Sequence, residues 1–218
     1  MDCLRQGKPF RIEGVVFDFD GTLTKPGSID FAAVHRAVGC PRETGLLEFL
    51  AAIDDPDKRA QKEAVLMAAE MEAAERCEPN PGLKEVAALL REVGVPMAII
   101  TRNRREPIER ALSNLEGVEA KDFACLVTRD LPLAPKPSPD SLRYVARELG
   151  LEVSQLLMVG DHPFDIEAGV RAGALTMFLQ NDPSRASDAG PPGSDFVVKS
   201  LVEARQVIRH GLPLPPVS

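Results

Sequence analysis

The stretch Gly14-Val15-Val16-Phe17-Asp18-Phe19-Asp20-Gly21-Thr22-Leu23-Thr24 decides how this chain is read. Val15, Val16 and Phe17 are a β-branched and aromatic run of the kind that forms a buried strand. The run ends abruptly in two aspartates, one residue apart. In an open parallel sheet, ligands gather outside the carboxyl ends of the strands, so a site is expected there. Gly21 lets the chain turn away and leaves both carboxylates facing one cleft. A pair so placed can hold a hard cation, attack a substrate, or divide acid and base duties. A buried strand followed by a plain Asp-Gly turn is the structural alternative.

Outward from this run, strand-like segments recur at Pro96–Ile100, Phe123–Val127, Leu156–Val159 and Leu175–Leu179. Helical segments lie between them, at Leu83–Val93, Glu106–Leu115, Ser138–Leu149 and Pro163–Ala172. Such alternation predicts an α/β fold, a Rossmann-like parallel sheet covered by helices on both faces. Phe196–Val198 and Leu201–Arg209 add a last strand and helix, after a Pro/Gly/Ser-rich loop over Asn181–Asp195.

One interval breaks the alternation. Between the first strand and Leu83 the pattern is only helical, over Ile29–Val38, Thr44–Ile53 and Asp57–Cys77. In the last of these, Ala60, Ala64, Met67, Ala68, Met71 and Ala74 are expected to form the buried face. Asp55-Pro56 sets its start, and turn-rich linkers stand at Thr24–Ser28 and Glu78–Gly82. The expected organisation is a core of residues 1–25 and 82–218 with a small α-helical cap over 26–81. Two linkers of this kind suit a lid over the site, the alternative being an elaboration fixed to the core.

Composition narrows the function classes. The chain has 218 residues, 44% hydrophobic and 27% charged, as in an ordinary globular protein with one good core. A net charge of −7 without any basic block argues against a nucleic-acid binder. The four cysteines, Cys3, Cys40, Cys77 and Cys125, are too scattered for a zinc site or a disulfide frame. No apolar run reaches membrane-spanning length, and Met1–Phe10 lacks a signal-peptide core, so a cytoplasmic protein without membrane partners is expected.

The other strand ends carry the remaining chemistry. The second ends Ile100-Thr101-Arg102-Asn103, placing a hydroxyl and backbone N–H groups where a phosphate oxygen fits, although Thr101 alone reads as a helix cap. After the third comes Pro135-Lys136-Pro137, a lysine with little backbone freedom. The fourth ends Gly160-Asp161-His162-Pro163-Phe164-Asp165, with Asp165 in the first turn of the next helix. Singly, Asp161 reads as a cap and Asp165 as a partner of the helix dipole. Carboxylates, a hydroxyl, a lysine and two more carboxylates arriving in order at four strand ends are no accident of structure.

On these residues the chain resembles the haloacid dehalogenase superfamily of hydrolases, in the branch with a helical cap after the first strand. Asp18-x-Asp20-Gly-Thr22 matches the first family motif, Thr101 the second and Lys136 before Pro137 the third; Gly160-Asp161-x-x-x-Asp165 matches the fourth. The similarity runs from about Val15 to Arg209 and is strongest to phosphoglycolate-phosphatase-like proteins. It implies a magnesium-dependent phosphatase acting on a small phosphorylated metabolite. Asp18 would be the nucleophile that forms an aspartyl-phosphate, and Asp20 the acid and then the base. Magnesium would be held by Asp18, the backbone carbonyl of Asp20, and Asp161. Thr101, the Arg102 N–H and Lys136 would bind the transferring oxygens, while Asp165 orients Lys136 or a metal-bound water.

Three histidines tempt and do not help. His162 reads as a loop residue, His35 as a solvated helix residue, and His210 lies near a Pro-rich tail. The Arg102 side chain suits either a distal anionic group or a surface salt bridge. Phosphonate hydrolysis in this family would need a Schiff-base lysine from the cap, and nothing local to Lys58 or Lys62, which open the long insert helix, marks either as desolvated. Dehalogenation is disfavoured because halide needs no proton from Asp20. A phosphosugar mutase using the same intermediate is the nearest rival. A non-catalytic regulatory protein of this fold is the more distant one, since Asp18, Asp20 and Asp161 are all present.

Overall fold

The computed structural model describes residues 4–5, 8–182 and 190–212. Its centre is a six-stranded parallel sheet: β1 (Gly14–Phe17), β2 (Met97–Ile100), β3 (Phe123–Val127), β4 (Leu156–Gly160), β5 (Leu175–Leu179) and β6 (Phe196–Val198). The spatial order is β3-β2-β1-β4-β5-β6, so β1 is central and the order reverses beside it. Its register pairs Phe17 with Ile99 on one side and Val159 on the other, which brings three strand ends level. Leu4–Arg5 and Lys8–Pro9 pair as a separate short antiparallel hairpin. β2 begins one residue later than the expected Pro96, which cannot donate to a ladder; its carbonyl still accepts from Val15 N at 3.0 Å.

Every residue of β1 is buried, as its unbroken apolar run requires. Side chains alternate between two cores. Val15 and Phe17 pack with Met97, Ile99 and Val159 beneath α4 (Leu83–Val93), α5 (Arg105–Leu112) and α8 (Leu201–Gly211). Val16, Ala98, Ile100 and Met158 pack on the other face against α6 (Asp140–Leu149) and α7 (Pro163–Ala172). The central strands β1, β2 and β4 are therefore dry on both sides, and their polar neighbours stand at the strand ends. α5 stops three residues short of the expected Leu115, because the chain turns at Ser113 and Asn114.

The interval before α4 is helical: α1 (Phe31–Val38), α2 (Leu46–Ala51) and α3 (Pro56–Arg76). Asp55 caps α3, accepting from the N–H groups of Asp57 and Lys58 at 3.0 and 3.2 Å, with Pro56 in the first turn. The three helices share a small core of their own, including Val34, Val38, Leu46, Leu50, Leu66 and Ala73. Here one sequence expectation is corrected. Ala60, Ala64 and Ala68 are exposed, Met67 and Met71 only half-buried, and the buried residues of α3 are Leu66, Glu70, Ala73 and Ala74. Of the expected face only Ala74 is buried; the rest of the buried face is Leu66, Ala73 and the paired charge of Glu70. The chain leaves for these helices and returns through adjoining segments, since Thr24 and Pro79 form an antiparallel bridge and Lys25 N donates to Glu78 O at 2.9 Å.

Residues 183–189 of the loop read over Asn181–Asp195 lie outside the described residues, as do Cys3 and the Pro-rich tail over 213–218. Cys40, Cys77 and Cys125 are free thiols. Among the described residues no helix is long and apolar enough to cross a membrane.

Candidate active site

The turn after β1 is wound around one carbonyl. Phe19 O accepts from Thr22 N, Leu23 N and Thr24 N at 3.3, 2.9 and 3.2 Å. Gly21 holds φ at +78°, and a Cβ built there would stand 2.4 Å from Asp161 Oδ2. Glycine is required at this point twice over, for the backbone and for the carboxylate that occupies the space. Asn80 Nδ2 fixes the turn through Gly21 O and Thr22 O at 3.2 and 2.9 Å, and Asn181 Nδ2 donates to Gly21 O at 2.7 Å. Gly160 does for Asp165 what Gly21 does for Asp161, its missing Cβ lying 2.2 Å from Asp165 Oδ2.

Lys136 is the hub. The residue is 4% exposed, and its ammonium donates to Asp18 Oδ1 at 2.5 Å, Asp165 Oδ1 at 2.6 Å and Ile100 O at 3.0 Å. All three of its protons are thereby placed. Burial disfavours its charge, but Asp165 and Asp18 together outweigh this and push its pKa up. Burial pushes the Asp18 carboxyl up to about 6; the lysine opposes the rise and Asp165 adds to it. Asp165 spends its other oxygen on the N–H of His162 at 3.0 Å, closing a capping box at the start of α7. His162 completes that box by accepting from Phe164 N at 3.2 Å, so the cap belongs to the histidine and not to Asp161.

Asp20 lies in the same cleft with a different neighbour. Asn103 Nδ2 donates to its Oδ2 at 2.7 Å. Burial, then the charge of Asp18, push its carboxyl up to about 7 against that hydrogen bond. Thr101 is buried at the end of β2; its Oγ1 accepts from Asn103 N at 3.1 Å, which leaves the hydroxyl proton to donate. The oxygens of Asp18, Asp161 and Asp165 approach within 4.8 Å of one another. Hard carboxylate donors of this kind suit magnesium or calcium. Both oxygens of Asp165 already accept hydrogen bonds, from Lys136 and His162, whereas Asp18 gives one of its two to Lys136. The Asp20 side chain stands outside this trio.

Arg102 has turned away from the β-sheet to the insert. Its Nη2 reaches both carboxylate oxygens of Glu48 on α2 at 2.7 Å, its Nη1 donates to Lys136 O at 3.1 Å, and the guanidinium stacks over Phe164. Arg129 and the buried Glu70 of α3 form a second tie between insert and sheet, and Arg104 with Glu63 a third at 3.2 Å. The cleft that Asp18, Asp20, Thr101, Lys136 and Asp161 share has a volume of about 460 Å³; Phe31, His35 and Arg42 wall it from the insert side. A neighbouring hollow of about 650 Å³ shares Thr101 and Lys136 but neither Asp18, Asp20 nor Asp161.

Five of the expected residues, Asp18, Asp20, Thr101, Lys136 and Asp161, thus meet in one cleft, with Asp165 and Arg102 lining it too. Sequence reading passed over Asn103, Arg129 and Glu70. Arg129 left a signal, since it follows β3 as the other site residues follow their strands; Glu70, one of several acids on a polar helix, left none.

The class defined by this fold and site is an α/β protein with an open parallel sheet that gathers carboxylates and a buried lysine at its strand ends. The chain belongs to the haloacid dehalogenase-like hydrolases, whose family model matches residues 12–173. It is 33% identical over 173 residues to the uncharacterized hydrolase YOR131C of Saccharomyces cerevisiae, covering 78% of each chain. It is also 33% identical over 188 residues to the phosphoglycolate phosphatase of Pectobacterium atrosepticum, covering 76% of this chain and 79% of that one. Among solved structures, a variant of CbbY from Rhodobacter sphaeroides in complex with xylulose-(1,5)bisphosphate has the same fold. Its TM-score is 0.69 at 21% identity, over 88% of this chain and 96% of that one.

Proposed function

We propose that this protein is a phosphatase of small phosphorylated metabolites that works through an aspartyl-phosphate on Asp18 and requires magnesium. The observation that carries the reading is the Lys136 ammonium between Asp18 and Asp165, in one cleft with the separately held Asp20. The lysine fixes one oxygen of Asp18 and leaves the other to attack phosphorus. The bond from phosphorus to the leaving oxygen breaks as Asp20, its carboxyl pushed up to about 7, gives that oxygen a proton. Water then attacks the aspartyl-phosphate, Asp20 takes a proton from it, and phosphate leaves with Asp18 restored. Thr101 Oγ1, the Arg102 N–H and Lys136 bind the transferring oxygens. Asp18, the Asp20 carbonyl and Asp161 would hold the magnesium ion, which offsets the repulsion between an anionic nucleophile and an anionic phosphoryl group.

Residues 26–81 form the cap in this reading, and Phe31, His35 and Arg42 face the leaving alcohol. The name borne by the Pectobacterium relative supports a small phosphorylated substrate. The test is release of inorganic phosphate from a panel of phosphorylated metabolites with magnesium, in the wild type and in Asp18→Asn. Release by the wild type and its loss in the variant are expected. Release that survives Asp18→Asn, or interconversion of sugar phosphates without net release, would overturn the proposal.

A further inference from the structure

One ion pair crosses from the insert to the sheet, lines the same cleft as Asp18 and Asp20, and clamps three consecutive residues beside them. Glu70 of α3 is 2% exposed, and both its oxygens accept from Arg129, Oε2 from Nη2 at 3.1 Å. Arg129 Nη1 also donates to Arg102 O at 3.0 Å, and its backbone N–H to Asn103 O at 3.0 Å. Arg104 N–H donates to Glu70 Oε2 at 3.4 Å. Residues 102, 103 and 104 are therefore each gripped by this pair. Their middle member, Asn103, is the residue whose amide donates to Asp20 Oδ2 at 2.7 Å.

A buried charge pair gains little stability over well-packed apolar residues, so its presence in a helix face asks for another use. Here the use is legible in the contacts: besides each other, the hydrogen-bond partners of Glu70 and Arg129 among the described residues are the backbone groups of 102–104. Removing α3 from its seat withdraws Glu70 and leaves Arg129 without its counter-charge. Asn103 then loses one jaw of the clamp that aims it.

We propose that Glu70 is a positioning residue for proton transfer: through Arg129 and residues 102–104 it makes Asn103 hold Asp20 toward the leaving oxygen. Because Glu70 belongs to the insert, the proton donor is aimed only when the insert is seated. This rests on the reading of Asp20 as the acid. Asn103 holds Oδ2 of Asp20, which leaves Oδ1 to carry the transferring proton.

The experiment compares phenyl phosphate with 4-nitrophenyl phosphate, two esters of similar shape, under saturating magnesium. Phenolate is the more basic leaving group and draws more on a proton donor. For Glu70→Gln, kcat/KM, which covers transfer to Asp18 and leaves out the hydrolysis step both esters share, is expected to fall by roughly tenfold on phenyl phosphate and by no more than about twofold on 4-nitrophenyl phosphate, within what a misaimed acid costs. Asn103→Ala is expected to give the same split, and combining the two to widen it no further. Equal losses on both esters, no loss, or additive splits would overturn the proposal. Asp20→Asn in the same assay separates the two readings: if it shows no split, Asp20 is not the acid and the proposed function itself fails. If Glu70→Gln does not fold by circular dichroism, Glu70→Gln/Arg129→Gln, which removes both buried charges, must show the split instead.

Discussion

Replacing Lys136 by methionine tests the electrostatic centre of the molecule. In the native site one ammonium lies between two carboxylates, Asp18 at 2.5 Å and Asp165 at 2.6 Å, with the lysine and Asp165 almost fully buried. Lys136→Met turns a cluster of net charge −1 into one of −2 and strips Ile100 O of its donor. Breaking a buried pair in this way costs about 3–5 kcal/mol. That deficit has a defined pH dependence. Asp18 stands at about 6 with the lysine beside it and is driven higher without it. A carboxyl whose folded pKa exceeds its unfolded 3.8 binds its proton more tightly when folded, so stability rises as pH falls through the raised value. The wild type shares part of this slope, and the variant has more of it. The deficit is therefore full at pH 8 and smaller at pH 5, by about 1.4 kcal/mol for each unit that Asp18 rises on losing its lysine. Urea unfolding of both proteins at the two pH values, with a chelator present, measures this directly. A deficit that is equal or larger at pH 5, or below about 1 kcal/mol at pH 8, refutes the reasoning.

Two further outcomes follow from the same site. Magnesium is expected to raise the melting temperature, by about 5–10 °C at a hundredfold excess over its Kd. The rise should be larger at pH 8 than at pH 5, where protons compete for Asp18, and absent in Asp161→Asn; an undiminished rise in that variant refutes the assigned ligands. Gly21→Ala and Gly27→Ala both force alanine into left-handed backbone, at φ +78° and +85°, and each should cost about 1–2 kcal/mol in denaturant melts. Gly21→Ala also drives a Cβ to 2.4 Å from Asp161 Oδ2, whereas nothing lies within 4 Å of the one at Gly27. Gly21→Ala alone should therefore lose the magnesium response, and retention of the response would contradict the crowding.

Sheet and site differ in how much of them the sequence displays. β1 and its neighbours are buried on both faces, so their runs are continuously apolar and stop where polar chemistry starts; the strand end and the site residue are one signal. Asp18, Thr101 and Asp161 were legible for that reason; Lys136, well past the end of β3, was legible from the prolines on either side of it. The insert obeys a weaker code. α3 is mostly polar, its alanines carry little transfer energy, and its deepest polar residue is a glutamate stabilised by an arginine distant in sequence. Periodicity therefore assigned its buried face wrongly. The partnership of Glu48 with Arg102 was hidden likewise, because nothing local in either residue names the other. Strand ends announce what they carry, whereas a cross-element ion pair exists only after folding.

The bridge between Thr24 and Pro79 carries a consequence for how this protein can change. Everything between those two residues is a closed excursion whose ends already touch, fastened by Lys25 N to Glu78 O as well. The entropy of closing such a loop grows only with the logarithm of its length, about 0.6 kcal/mol for each doubling. An excursion pinned at its neck can be lengthened, shortened or exchanged for another without shifting the register of the sheet beneath. On the proposed reading, such changes would remodel the cleft walls at Phe31, His35 and Arg42 while Asp18 and Lys136 stay in place, provided that Glu70 keeps its tie to Arg129.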